Sequence, residues 1–184
     1  MIDVLFICTA NQCRSAMAEA MLRHRLEARG IEADVHSAGQ LQAGMPMTPE
    51  TMSALKAHGL DGSAHVSQQA TAEMVRETDL ILTMTRRHLV RTVGLAVEAF
   101  PRAFTLKELV RRGREIGGRG PGQPLDEWLR KAAAGRSAGE MLKDSPEDDI
   151  PDPVAEPDLI TFEQAANQIE QLVDELVYLI WGRG

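Results

Sequence analysis

The chain is expected to fold as a three-layer α/β/α structure around a four-stranded parallel sheet. Two observations predict this. Short apolar, β-branched runs alternate with segments of helical periodicity, as in successive βαβ units. The chain has 184 residues, 43% of them hydrophobic, which is enough for one well-packed core and short for two. A single domain over residues 1–184 is therefore expected, with an insertion at about 113–149.

Strands are predicted near residues 2–7, 33–37, 79–84 and 101–105. The first helix opens at Ser15, carries Ala18, Met21, Leu22 and Leu26 on one side, and stops at Gly30. Thr48-Pro49 supplies a cap and a proline at the first turn of the next helix, which Gly59 ends. Glycine and proline crowd residues 113–124 and predict a mobile loop or linker, followed by a short helix around Leu125–Ala134. A second break and the acidic run Glu147-Asp148-Asp149 lead to Ile150-Pro151-Asp152-Pro153. In the last helix Thr161 and Gln164 form a capping box. Its stripe of Phe162, Ala166, Ile169, Val173, Leu176 and Ile180 is core packing.

A formal net charge of −7 argues against nucleic-acid and membrane-surface partners, both of which need a basic face. No apolar stretch approaches the ~18 residues of a membrane span. Asp3 stands where a secretion signal carries positive charge. A cytoplasmic protein is expected. Only Cys8 and Cys13 are present, so no disulfide framework can be built, although the two could pair with each other under oxidation. No cluster of His, Cys and Asp has metal-ligand spacing, and neither metal nor other cofactor is expected.

Chemistry concentrates in Cys8-Thr9-Ala10-Asn11-Gln12-Cys13-Arg14-Ser15, between the first strand and the first helix. A short loop entering a helix turns successive N–H groups towards its centre, and the helix N-terminus adds partial positive charge, so a tetrahedral oxyanion fits there. Arg14 can close the ring, its planar fork matching two phosphoryl oxygens. A thiol at position 8 facing those donors should ionise below its free value of ~8.5 and act as a thiolate nucleophile. Asn11 suits a left-handed backbone position, and Ser15 can donate to the thiolate.

Phosphoryl transfer to sulfur also needs an acid for the leaving group, which can afterwards activate water. Asp152 is the candidate, because its flanking prolines fix an extended backbone that presents the carboxyl from a loop. Asp148 and Asp149 are competitors, but adjacent like charges in a polar run are expected to be solvated.

The block from Cys8 to Ser15, with Met17-Ala18-Glu19 after it, resembles the signature of low-molecular-weight protein-tyrosine phosphatases and their arsenate-reductase and protein-arginine-phosphatase relatives. The resemblance continues through Ser37-Ala38-Gly39, Thr48-Pro49, residues 79–84, residues 104–108 and Asp152-Pro153, and leaves out roughly 113–149. It implies a Rossmann-like, flavodoxin-like topology and hydrolysis of phosphotyrosine or a related phosphoprotein, or of a small phosphorylated substrate, through a Cys8 phosphoenzyme. Asp152 has the acid role by resemblance too, and Ser37 and His65 would brace Asn11 from behind. Cys13 would trap Cys8 as a reversible disulfide, or simply fill space.

The chain departs from the tyrosine-specific pattern. Val154 and Ala155 follow Asp152-Pro153 where such phosphatases usually carry aromatic residues, and aromatics are only 4% of the chain. Phe100, Trp128 or Trp181 could replace them only if the fold brings one near. Gln12 stands where arginine phosphatases carry threonine, and its amide could bond a polar leaving group or face solvent. The insertion could shape or cover the pocket. Rival readings are an arsenate reductase using an external thiol, since no cysteine follows Cys13, and a phosphocysteine carrier or phosphate-binding module, which gains nothing from Asp152.

Overall fold

A computed structural model describes residues 1–41 and 43–182. Its sheet is made of β1 (Ile2–Cys8), β2 (Ala33–Gly39), β3 (Leu80–Thr83) and β4 (Ala103–Thr105), all parallel, in the order β2-β1-β3-β4. All four lie where the sequence pattern puts strands. Val4 to Cys8 are buried without interruption, because helices cover both faces of a parallel sheet. Alternate residues of β1 feed opposite cores. Val4, Phe6 and Cys8 join the larger, Leu5 and Ile7 the smaller.

The larger core lies under α1 (Arg14–Glu27), α5 (Leu106–Ile116), α6 (Leu125–Ala132) and α8 (Phe162–Trp181), with α2 (Pro49–Ala57) at its side. The smaller lies under α3 (Ala72–Glu77) and α4 (Arg86–Leu95), with the four-residue α7 (Ala138–Met141) contributing Met141. This is the three-layer α/β/α fold. Both caps read from the sequence form: Thr48 Oγ1 accepts the Thr51 N–H at 3.2 Å, and Thr161 and Gln164 make the reciprocal capping box. The sequence pattern marks no helix at α3, α4, α5 or α7. α3 has only six residues, and two of the four buried residues of α4, His88 and Thr92, are polar.

Residues 113–116 correct the loop expected over 113–124, while residues 117–124 are in neither helix nor strand. α5 runs on to Ile116, and Gly113 is buried within it. A Cβ at Gly113 would lie 2.7 Å from Leu179 Cδ1 and 3.2 Å from Trp128 Cζ2. The glycine is there for close helix packing, not for a turn. Gly117, with φ of +82°, ends the helix. Beyond it Arg119 is tied to the end of α8, its backbone N–H to Leu179 O and its Nε to Ile180 O, both at 2.7 Å. Trp128 is almost fully buried in the larger core, with its indole N–H on Gly117 O at 2.9 Å. Gly113 and Trp128 thus belong to the larger core, while residues 114–127 between them are exposed or half-buried.

Strand order reverses around β1, whose successor β2 lies on one side and β3 on the other. In open α/β sheets the crevice beyond the strands at such a switch point is where ligands bind. The Cys8 loop opens there.

Candidate active site

Asn11 organises the loop. It is the one non-glycine among the described residues with positive φ, +55°, and is wholly buried. Its Oδ1 accepts the Gln68 N–H at 2.8 Å, which fixes the amide so that Nδ2 donates to Ser37 Oγ at 2.6 Å and Ser15 Oγ at 2.9 Å. Ser37 in turn donates to Glu19 at 2.5 Å. His65 Nε2–H donates to Asn11 O at 2.6 Å. Because Ser15 already accepts from Asn11, its own proton is free for Cys8 Sγ, 3.0 Å away. The bracing expected of Ser37 and His65 is thus present as geometry, and Glu19 and Gln68 extend it.

Arg14 is buried at the opening of α1. Its Nη1 donates to Ile150 O at 2.9 Å, its Nη2 pairs with the Asp152 carboxylate, and Nη2 also reaches Thr9 Oγ1 at 3.5 Å. Its Nε is buried without a partner among the described residues. A buried guanidinium N–H left open beside a thiol is a donor waiting for an acceptor. Asp152 Oδ1 accepts the Val154 N–H at 3.0 Å, and the Asp152 N–H donates to Glu156 at 2.9 Å.

These groups share a pocket of about 310 Å³ lined by Cys8, Thr9, Ala10, Gln12, Cys13, Arg14 and Asp152, with Leu41, Thr48, Val154 and Ala155 completing the wall. No aromatic residue lines it. Phe100 packs on Arg136, Trp128 is in the core, and Trp181 packs at the end of α8. Gln12 Nε2 donates to Pro46 O at 2.8 Å, so its amide nitrogen is committed to protein. The 113–149 insertion contributes no residue to the pocket, a correction to the expectation that it could cover it.

The insertion acts on the site from behind. Asp148 and Asp149 are not a solvated run. Asp148 is buried, accepting from Arg86 Nη2 at 3.1 Å, Arg111 Nη2 at 3.0 Å and Ser145 Oγ at 3.1 Å. Asp149 Oδ1 accepts the Arg86 N–H at 2.6 Å, and Lys107 Nζ donates to Asp149 O at 3.0 Å. Burial raises the Asp149 carboxyl above its usual range, ahead of the opposing Arg86 contacts. Ile150 N–H then bonds Met84 O at 2.8 Å. Residues 148–150 are therefore pinned on both sides just before Asp152.

Both cysteines are free and buried. Burial pushes the Cys13 thiol up to about 12, outweighing a hydrogen bond to Thr51. Iodoacetamide at pH 8 is therefore expected to label Cys8 and leave Cys13 intact, since the thiolate is the reactive form. Peptide mass spectrometry reads this directly, and Cys13 labelling at a comparable rate would contradict it.

Gly39, paired with Cys8 across the sheet, is a residue whose role the sequence does not signal. A Cβ there would lie 2.8 Å from Ala10 C, 2.9 Å from Asn11 N and 2.9 Å from Thr9 O, all loop backbone. Gly39→Ala is expected to cost about 1–3 kcal/mol of stability by overpacking and to weaken vanadate inhibition as the loop is pushed out of shape. Unchanged melting temperature and inhibition would contradict the close approach. His88, also absent from the sequence-based candidates, stands behind Thr9, its Nε2 at 2.9 Å from Thr9 Oγ1.

Asp3, Asp34 and His36 place ligand atoms within 4.8 Å of one another at the opposite end of the sheet. The β1–β2 register creates this grouping, which spacing along the chain does not reveal.

Residues 3–117 match the family model described as "Low molecular weight phosphotyrosine protein phosphatase". The chain is 36% identical over 109 residues to the protein-arginine-phosphatase of Bacillus subtilis (strain 168), covering 59% of this chain and 72% of that one. It is 40% identical over 81 residues to the probable low-molecular-weight protein-tyrosine-phosphatase EpsP of Ralstonia solanacearum, covering 44% of this chain and 54% of that one. Among solved structures it is similar to a YwlE arginine phosphatase mutant with a phosphorylated active-site serine, at a TM-score of 0.64 and 26% identity, covering 95% of this chain and 93% of that one. Sequence, sheet order and a cysteine–arginine loop at the switch point agree: the chain belongs to the low-molecular-weight phosphotyrosine protein phosphatase family.

Proposed function

We propose that this protein is a cysteine-dependent phosphoprotein phosphatase in which Cys8 is the nucleophile, Arg14 the phosphoryl clamp and Asp152 the acid and base. The observation that carries the reading is the buried donor set around one thiol: Ser15 aimed at Sγ, and Arg14 with its Nε unpartnered among the described residues. Cys8 attacks phosphorus as the thiolate while the leaving group departs with a proton from Asp152. Arg14 and the amides from Thr9 to Ser15 hold the three non-bridging oxygens as charge redistributes. Water then attacks the phosphocysteine, giving its proton to Asp152, and the sulfur leaves as thiolate stabilised by Ser15. Asp152 neutralises Arg14. An arriving phosphoryl group takes over that fork, and the released carboxylate takes up a proton from solvent before it serves the leaving group. This chemistry asks for no metal or organic cofactor.

The aliphatic wall of Leu41, Val154 and Ala155 offers no stacking surface for a phenyl ring. Gln12, its Nε2 held by Pro46, keeps Oε1 as an acceptor, which suits a leaving group that bears N–H donors. We therefore favour phosphoarginyl over phosphotyrosyl protein as substrate. Arsenate fits the same loop, but its two-electron reduction must then draw on an external thiol to form a disulfide with Cys8 and regenerate it, since no cysteine follows Cys13. A carrier role gains nothing from an Asp152 able to hydrolyse its own intermediate. We read residues 1–184 as one such domain, acting in the cytoplasm with its thiols reduced. The structure contains no helix among the described residues long and apolar enough to cross a membrane.

The test is turnover of para-nitrophenyl phosphate by the reduced protein, followed by phosphoarginyl and phosphotyrosyl peptides of one sequence. Hydrolysis with a higher kcat/KM on phosphoarginine is expected. Preference for phosphotyrosine would overturn the substrate assignment, and a flat trace with all three would overturn the roles given to Cys8 and Arg14.

A further inference from the structure

His88 is a buried histidine that the chemistry above does not use. It lies in the first turn of α4, with its ring bridging two threonine hydroxyls. Nδ1 is 2.9 Å from Thr85 Oγ1, and Nε2 is 2.9 Å from Thr9 Oγ1. Burial, and after it the nearby Arg14, Arg91 and Arg87, lower its pKa to about 3, so the ring is neutral and carries a single proton.

Both partners are hydroxyls, able to donate to the ring or accept from it. Thr85 caps α4, and its Oγ1 already accepts the His88 backbone N–H at 3.2 Å. Its own hydroxyl proton then has Nδ1 within reach as an acceptor, an arrangement that places the ring proton on Nε2, donated to Thr9 Oγ1. Thr9 Oγ1 also lies 3.5 Å from Arg14 Nη2, a second donor. Both acceptor positions of the Thr9 oxygen are thus taken. Its proton has no acceptor among the described residues, while the side chain lines the pocket with Cys8 and Arg14. The opposite tautomer would instead leave the Thr85 proton without an acceptor among the described residues and turn the Thr9 proton back towards α4. The loop would then present a lone pair to an anion.

We propose that His88, as its Nε2–H tautomer, is a positioning residue that aims the Thr9 hydroxyl into the loop as an additional donor to the bound phosphoryl group. This rests on the loop being a phosphate site, and adds a side-chain donor to the backbone amides and Arg14. His88 does not touch the substrate. It sets the direction of a hydroxyl that does.

Two measurements test it. Long-range proton–nitrogen NMR of protein labelled with nitrogen-15 histidine reads the tautomer in the wild type, with His88→Gln identifying the signal. A protonated Nε2 and an unprotonated, hydrogen-bonded Nδ1 are expected. Calorimetric titration with inorganic phosphate then compares wild type, Thr9→Val, His88→Phe, His88→Gln and the Thr9→Val/His88→Phe double variant. Thr9→Val and His88→Phe should each weaken phosphate binding on the order of ten- to hundredfold, the scale of a hydrogen bond to a charged group. The double variant should bind no worse than Thr9→Val alone, because the two act through one donor. His88→Gln, whose amide nitrogen can occupy the place of Nε2, should recover most of the affinity lost in His88→Phe. A merely structural role for His88 would instead give equal losses in Phe and Gln variants.

A proton on Nδ1, additive losses, or wild-type phosphate affinity in Thr9→Val would each overturn the proposal. If the wild type binds no phosphate, the phosphate-site reading falls and takes this proposal with it. If it binds phosphate but turns over no substrate, only the catalytic roles of Cys8 and Asp152 fall.

Discussion

Cys8→Ser is expected to lose para-nitrophenyl phosphate hydrolysis by more than about 10⁴-fold, as removal of a nucleophile does when the rest of the machinery cannot replace it. The magnitude follows from how the site activates its nucleophile. Ser15 donates to Sγ and Asn11 donates to Ser15, so the nearest polar neighbours stabilise an anion and none is placed to remove a proton. A thiol can give up its proton under those conditions, but a serine hydroxyl has no base to take it. The substitution changes one atom, so the melting temperature should move little and inorganic phosphate should still bind Arg14 and the amides. Steady-state rates beside a phosphate titration check both halves. Retained turnover would show that another group attacks phosphorus, and loss of phosphate binding would show that Cys8 shapes the loop as well as reacting.

Asp148→Ala is expected to cost about 3 kcal/mol of stability, the low end for breaking a buried ion pair. Asp148 and Arg86 are largely buried, with side chains 3% and 14% exposed, but Arg111 is 45% exposed and can regain water. For a chain of this size that corresponds to a melting temperature lower by roughly 10 °C. The second effect is on catalysis. Asp148 anchors the stretch that ends in Asp152, so kcat should fall by about tenfold as the acid loses its fixed position. Asp148→Asn, which keeps the shape and one acceptor, should lie between wild type and alanine on both scales. Thermal unfolding together with kcat at a temperature well below the transition measures this. A destabilised variant with unchanged kcat would separate the anchor from the chemistry.

How far the site was legible in the sequence depended on how local each contact is. Cys8, Asn11, Arg14 and Ser15 sit within eight residues, and their relations follow from a strand ending, one left-handed residue and a helix beginning. Asp152 was legible for a similar reason, since its prolines act on the neighbouring backbone. The pairing of Asp152 with Arg14 spans 138 positions, and spacing alone does not reveal it. Asp148 was misread because adjacent acids look solvated until Arg86 and Arg111 close over them from two other helices. Gly113 was misread because glycine among glycines looks like a loop, whereas here Leu179 and Trp128 require the missing Cβ. His88 gave no signal, being a lone histidine flanked by arginines and apolar residues.

By itself the sequence determined the strands, the caps of α2 and α8, the phosphate-type loop and the three residues proposed for catalysis. Each of these is set by periodicity or by interactions between near neighbours, which a linear chain displays. Only the tertiary structure decided which charges are buried, that Asp152 rests on Arg14, that residues 148–150 are anchored behind Asp152 without lining the pocket, and that His88 stands behind Thr9. Those depend on burial and on hydrogen-bond partners from distant elements, and burial is fixed by packing among elements that are far apart in the chain.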